Sequence, residues 1–221
     1  MKRLIAIGDI HGCSKTFNSL LYKKLKIKKD DEIFCLGDFI DRGPNSKGVI
    51  DMIIDLRKQG YKIHTLRGNH EQMMLDSGRG ESEFDNWIRN GGGKTLESFR
   101  VNKFSELDRK YLHFFSDTRL YLKKAKFIFV HAGLDFSSDD IFKNTEAMLW
   151  SRKFKVSEEK LKGRKIIHGH TIKALATIRK QLGKNVINID GGCVFNGKRL
   201  YGNLVAIDLT NNKIISTPNI D

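Results

Sequence analysis

The sequence predicts an α/β fold with its functional groups gathered at one edge of a sheet. Two observations carry that reading. Short apolar runs that read as buried strands alternate with segments whose apolar residues recur at helical spacing, which is the plan of βαβ units. Several of those runs end in glycine-bounded loops loaded with Asp, Asn and His. Open α/β sheets place their ligand sites at the carboxyl ends of strands, so these loops are expected to meet.

Residues 2–7 turn from Lys2-Arg3 into an apolar run that stops at Gly8-Asp9. The run is too short for a signal segment and is expected to be a central strand, closed by Gly8-Asp9-Ile10-His11-Gly12. Ser14 is expected to cap a helix carrying Phe17, Leu20, Leu21 and Leu25 at helical spacing. Residues 32–36 read as the second strand, followed by Gly37-Asp38-Phe39-Ile40-Asp41-Arg42-Gly43. A helix over about 47–59 puts Val49, Ile50, Ile53 and Leu56 on one side, and Gly60 ends it. Residues 61–66 form the third strand, with Arg67-Gly68-Asn69-His70-Glu71 at its end.

Residues of about 72–117 read as helices and loops, with Phe84, Trp87 and Ile88 on one helix and Tyr111, Leu112, Phe114 and Phe115 on another. They are expected to form a helical cap region beside the site, inside one domain spanning 1–221. The run Asn90-Gly91-Gly92-Gly93-Lys94-Thr95 lacks the spacing of a phosphate-cradling loop and follows no strand, so it reads as a tight turn into a helix. Strands over 120–122 and 127–130 make a hairpin that ends in His131-Ala132-Gly133. A helical segment closes at Leu149-Trp150-Ser151-Arg152, and a strand over 165–167 runs into His168-Gly169-His170-Thr171. Strands over 185–189, 200–208 and 213–216 complete the chain, with Asp190-Gly191-Gly192 between the first two.

Composition sets the bounds. The 221 residues suit one well-buried α/β domain. No run reaches the roughly 18 apolar residues of a membrane span. Three cysteines, Cys13, Cys35 and Cys193, are odd in number and far apart, so a reducing, cytoplasmic setting is expected. The formal charge is +14, with lysine clusters at 23–29, 123–126 and 160–165. That charge suits anionic partners, nucleic acid among them. No basic run is interleaved with aromatics, so solvated surface lysine is the favoured reading and nucleic acid is not.

The strand ends collect Asp9, His11, Asp38, Asn69, His131 and His170, with Asp41, Arg42, His70 and Arg152 close by. Carboxylate, imidazole and amide oxygen together suit Mn²⁺, with Fe or Zn²⁺ as alternatives, better than copper or calcium. Asp9 and His11 lie two apart on one loop and can point to one ion. Asp38 is placed to bridge two, and Asn69, His131 and His170 complete the second. Two ions roughly 3.5–4 Å apart clamp a phosphoryl group and lower the pKa of a water between them. His64 and His113 fall inside a strand and a helix and are read as structural. His168 is placed to orient a ligand without binding an ion itself.

Gly8-Asp9-Ile10-His11-Gly12, Gly37-Asp38-Phe39-Ile40-Asp41-Arg42-Gly43 and Gly68-Asn69-His70-Glu71, with His131-Ala132-Gly133 and Gly169-His170, resemble the signature of the calcineurin-like metallophosphoesterases. More narrowly they resemble the phosphoprotein phosphatases, in their small bacterial and bacteriophage branch. The resemblance implies a β-sandwich flanked by helices, with two metals at one edge. It implies Asp41 paired with His70, and Arg42 and Arg152 gripping the phosphate together with Asn69. Ile172 stands where many broader relatives carry a second His after Gly169-His170, which points away from cyclic-nucleotide diesterases. The expected reaction is phosphomonoester hydrolysis by direct attack of a metal-bridging hydroxide, with His70 as general acid and no covalent phosphoenzyme. Serine/threonine phosphatase acting on a phosphorylated protein is the first expectation, because Glu71 resembles those enzymes. Symmetrical bis(5'-nucleosyl)-tetraphosphatase, with a small phosphorylated substrate, is the second.

Overall fold

In the computed structural model, which describes residues 2–221, the apolar runs are strands buried on both faces, and alternation assigns their side chains to two different cores. In β1 (Leu4–Ile7) and β2 (Glu32–Cys35), Ile5, Ile7, Ile33 and Cys35 point to a helical layer. Ala6 and Phe34 point the other way, into the space between two sheets. The first sheet runs β3 (Lys62–Thr65), β2, β1, β8 (Asn203–Asp208), β9 (Lys213–Pro218). The second runs β4 (Tyr121–Lys124), β5 (Phe127–Val130), β6 (Lys165–His168), β7 (Val186–Asn188). β1–β3 are parallel in one sheet and β5–β7 parallel in the other. β8 returns antiparallel beside β1.

The space between the sheets is filled by Phe34, Leu36, Phe127, Phe129, Ile167, Ile187 and Val205. The Phe34 and Phe129 rings stack across it with centroids 4.0 Å apart, a geometry that contributes about 0.5–1.5 kcal/mol beyond area burial. Outside the first sheet lie α1 (Ser14–Asn18), which continues as a wider turn over Ser19–Leu25, and α2 (Ser46–Lys58). The same layer holds α3 (Asn69–Asp76), α4 (Glu81–Trp87), α5 (Gly93–Phe99) and α6 (Arg109–Ser116). Trp87, Phe99, Tyr111, Phe114 and Phe115 enter one core with Phe17, Leu20 and Ile53. Residues 72–117 therefore pack on the outer face of the first sheet as well as reaching the site. α7 (Thr145–Trp150) and α8 (Glu158–Leu161) cover the second sheet through Met148 and Leu161. α9 (Leu175–Arg179) precedes β7 and contributes Ile178 to the core between the sheets. The α/β sandwich flanked by helices that the sequence led one to expect is present.

Local expectations differ from the structure in places. Ser14 is the first helical residue and does not cap; Cys13 occupies the cap position. The Ser14 hydroxyl instead accepts from Asn45 Nδ2 at 2.9 Å, which joins the first two site loops. The strand expected from residue 200 starts at Asn203, because Gly192–Gly202 closes on itself through Gly202 N–H donating to Gly192 O at 3.0 Å. Among the described residues no helix is long and apolar enough to cross a membrane.

Candidate metal centre

Six loops meet at the carboxyl ends of β1, β2, β3, β5, β6 and β7, and the first two are stitched backbone to backbone. Ile10 and His11 N–H both donate to Asp38 O, at 3.1 and 2.8 Å, and Gly12 N–H donates to Phe39 O at 2.8 Å. Five site residues sit in the left-handed region: His11 (φ 47°), Asp38 (φ 49°), Asp41 (φ 70°), Arg42 (φ 69°) and His170 (φ 66°). That conformation costs about 1–2 kcal/mol per L-residue, so the surroundings must impose it. Glu71 is one such restraint. Its carboxylate accepts from Asp38 N and Phe39 N, both at 2.8 Å, and from Gly68 N at 2.9 Å. Gly68 permits the approach, since a Cβ there would lie 2.1 Å from Asp38 Oδ1. Gly169 plays the same part against Asp9 Oδ1, at 2.0 Å.

The donor atoms form two groups that share one carboxylate: His11, Asp38 and His70, and Asp38, His131 and His170. His11 Nδ1 donates to Ile40 O at 2.8 Å, so Nε2 carries the lone pair; it accepts from Arg42 Nη1 at 2.9 Å and lies 3.5 Å from Asp38 Oδ2. His131 Nδ1 donates to Leu36 O at 2.9 Å. The neutral ring then turns its Nε2 lone pair toward Asn69 Oδ1 at 3.0 Å and Asp38 Oδ1 at 3.5 Å. Acceptors facing acceptors in a buried site is an arrangement that a cation resolves. Asp9 Oδ2 accepts from His170 N at 3.0 Å, while Asp9 Oδ1 and His170 Nε2 are buried without a partner. Asn69 Oδ1 lies 2.9 Å from His170 Nδ1. All six expected ligands are thus brought together, and their orphaned acceptors fit divalent ions.

Electrostatics agree with that fit. Burial pushes His11 and His170 down to about 3, which leaves both rings neutral and able to ligate. Burial, then Asp190 and Asp38, drive the Asp9 carboxyl well above its usual range. Asp38 goes the other way: burial raises it, but the surrounding imidazoles, His131 first, hold it low. Burial raises Asp190 to about 7. Three carboxyl groups buried this close need countercharge, and bound cations are one source of it.

Of these donors His70 is set apart, because its Nδ1 is committed to a second carboxylate. His70 Nδ1 donates to Asp41 Oδ2 at 2.6 Å, and the His70 ring stands edge-on to His11 with centroids 4.7 Å apart. Asp41 is fully buried and also accepts from Trp87 Nε1 at 3.0 and 3.1 Å and from Thr95 Oγ1 at 2.6 Å. Burial alone would lower the pKa of His70, but Asp38 and the bond to Asp41 outweigh it and raise it. The imidazolium is therefore favoured, poised to hold a proton over the cavity.

That cavity, about 370 Å³, is lined by Asp9, His11, Asp38, Asn69, His70 and His170 below and by Arg42, Arg152, Trp150, Ile172 and Phe195 around the mouth. Arg42 and Arg152 are exposed. His64 lies in β3 and His113 in α6, away from the cavity. His168 is buried against Phe154 and does not line it.

Sequence reasoning missed four residues. Trp87 and Thr95 brace Asp41 from 46 and 54 positions away, and no local signal announces that. The glycine-rich turn before Thr95 has a purpose here, since Gly91 (φ 108°) offers its carbonyl to Arg42 N–H at 3.2 Å. The identity of Glu71 alone does not reveal that its carboxylate ties two loops together through three backbone N–H groups. Asp190 follows a strand, as Asp9 and Asp38 do, and the same strand-end rule applied to β7 finds it.

The sequence model of the calcineurin-like phosphoesterase family matches residues 2–198. Serine/threonine-protein phosphatase 1 of Salmonella typhimurium is 39% identical over 90 residues, 39% of this chain and 37% of that protein, so the match spans well under half of that relative. The asymmetrical bis(5'-nucleosyl)-tetraphosphatase PrpE of Oceanobacillus iheyensis is 25% identical over 224 residues, 87% of this chain and 84% of that protein. A solved structure described as a putative diadenosine tetraphosphatase superposes with a TM-score of 0.66 at 20% identity, covering 99% of this chain and 94% of the other.

Proposed function

The chain belongs to the calcineurin-like phosphoesterases, and from that premise we propose that it hydrolyses nucleoside polyphosphates, with a bis(5'-nucleosyl) tetraphosphate as the substrate to test first. The protein is a phosphoester hydrolase of a family that uses a dinuclear divalent metal site. The observation that carries the reading is the pair of donor groups sharing Asp38 on the floor of a cavity whose mouth is lined by Arg42 and Arg152.

In this reading Asp9, His11 and Asp38 hold one ion, and Asp38, Asn69, His131 and His170 hold the other. The mixed nitrogen and oxygen set suits Mn²⁺, with Fe or Zn²⁺ as alternatives. Two such ions, when bound, polarise phosphoryl oxygens and lower the pKa of water. Arg42, Arg152 and Asn69 bind and orient the phosphate oxygens. His70 keeps a proton for the departing oxygen, and Asp41 keeps the imidazole charged and turned toward it.

One point removes the case for a phosphoprotein, and a second favours a nucleotide. Glu71, on which the preference for a protein phosphatase rested, commits its carboxylate to backbone N–H groups and does not line the cavity. Its identity therefore carries no information about substrate. The likeness to the Oceanobacillus tetraphosphatase also takes in 84% of that relative, against 37% of the Salmonella phosphatase. The higher identity of that shorter match, 39%, keeps serine/threonine phosphatase as the second reading.

The test is a substrate panel with manganese-loaded protein: diadenosine tetraphosphate against phosphoserine, phosphothreonine and phosphotyrosine peptides. The expected result is a kcat/KM for the tetraphosphate at least about tenfold above any peptide, abolished by chelator and restored by Mn²⁺. Peptide turnover exceeding that of the tetraphosphate overturns the nucleotide reading, and full activity in chelator overturns the metal site.

A further inference from the structure

We propose that the loop Gly192–Gly202 is the part of the cavity rim that reads the remainder of a nucleoside polyphosphate: Lys198 binds phosphates beyond the one attacked, and Leu200 with Tyr201 covers the nucleoside. The inference rests on the reading of the cavity as a nucleotide-hydrolysing site.

Phe195 lines the cavity mouth. The Arg42 guanidinium stands over its ring at 5.7 Å from the centroid, and Lys198 Nζ stands over the same ring at 4.8 Å. One aromatic ring thus ties the cation nearest the metal-donor cluster to a cation on the loop, an arrangement favourable to both charges. Among the described residues neither Lys198 nor Arg199 has a carboxylate within salt-bridge distance, whereas Lys2, Lys47 and Lys124 all have one. Lys198 is therefore available to an external anion.

The loop is built to hold it in place. Phe195 N–H donates to Gly192 O at 2.9 Å, Tyr201 N–H to Lys198 O at 3.0 Å, and Gly202 N–H to Gly192 O at 3.0 Å. Successive turns of this kind make a loop packed by its own groups. The apolar half of the argument is independent. Large apolar side chains are exposed at Tyr22, Leu200, Tyr201 and Ile220, and two of those four are neighbours on this loop. A phosphomonoester on a small alcohol would reach Arg42 and stop there. A polyphosphate chain extends past it to Lys198 and carries a nucleoside onto Leu200 and Tyr201.

Calorimetry on the manganese-loaded protein tests the phosphate half without relying on turnover, and steady-state kinetics test the nucleoside half. Inorganic tripolyphosphate is expected to bind more tightly than orthophosphate. Lys198→Ala should weaken tripolyphosphate about fivefold, roughly the value of one exposed ion pair, and orthophosphate by less than about twofold. The double variant Leu200→Ala, Tyr201→Ser should raise KM for diadenosine tetraphosphate while leaving tripolyphosphate affinity unchanged. Equal weakening of both anions by Lys198→Ala, or weakening of neither, overturns the phosphate-reading role. An unchanged KM in the double variant overturns the nucleoside contact. If the native protein leaves diadenosine tetraphosphate intact, the substrate reading falls, while the two anion titrations still decide the rim.

Discussion

Asp38 and His70 on the floor of the cavity, and Asp41 behind His70, are each 2% exposed or less, whereas Arg42 and Arg152 at its mouth and Lys198 beyond Phe195 stand in solvent. Asp38 and Asp41 sit in left-handed backbone under several restraints apiece: Glu71 on the Asp38 loop, and His70, Trp87 and Thr95 on Asp41. Of the cations, Arg42 donates to His11 Nε2 and stands over the Phe195 ring, and Lys198 stands over the same ring. The contrast follows from what each region must do. On the proposed function, ions and a proton donor have to be held to a fraction of an ångström in a dry site, where a misplaced buried charge is expensive. Cations that meet a substrate in water gain from reach, and each contributes little. Changes at the floor should therefore act as switches, and changes at the rim as adjustments.

Asp38→Asn tests the floor hardest. It removes the charge common to both donor groups, so both ions should be lost together with activity. The loss in metal affinity should exceed the about 10–100-fold typical of removing a ligand's hydrogen-bond partner. Two ions retained at native affinity, by metal analysis after dialysis, would show that the shared carboxylate does not bridge.

His70→Asn is next. If His70 donates the proton, the loss should be about 10²–10⁴-fold on an alkyl phosphate and much smaller on p-nitrophenyl phosphate, whose leaving group scarcely needs protonation. Metal content should be unchanged. The pH profile supplies an independent reading. The raised pKa of His70 means that the acid form persists to higher pH, so activity should fall as pH rises through that pKa. In Asp41→Asn one of the two carboxylates that raise the pKa is gone and only Asp38 is left to oppose burial, so this alkaline fall should begin at lower pH. An unmoved alkaline limb would detach the pair from the proton transfer.

The smallest expected effect on specificity belongs to Glu71. Glu71→Gln should cost about 1–3 kcal/mol of stability, measured by chemical denaturation, because a carboxamide NH₂ cannot accept from the backbone donors it faces. Glu71→Asp should leave the ratio of tetraphosphate to phosphopeptide turnover where it was. A switched ratio would return Glu71 to the substrate question.

Much of this floor is legible in the chain because its signals are local. An apolar run, a glycine and then Asp, Asn or His is a pattern a few residues long, and the geometry of sheets brings such ends to one edge. The same rule extended to β7 reaches Asp190. Trp87 and Thr95 were out of reach, since nothing within a turn or strand of either residue encodes contact with a carboxylate about 50 positions earlier. The rim was illegible for another reason. Phe195, Lys198 and Tyr201 have no periodic pattern, and an exposed lysine in a chain of charge +14 looks like any other.

The sequence by itself determined which residues arrive at the strand ends, because hydrophobic periodicity and glycine punctuation act over short range and specify strands, turns and their order. Only the tertiary structure decided how those strands divide into two sheets around the Phe34–Phe129 stack. It also decided which carboxylate each loop uses as a donor and which as a brace. Asp38, Asp41, Glu71 and Asp190 are the same chemical group; burial and the partners supplied by distant segments set their charge and task.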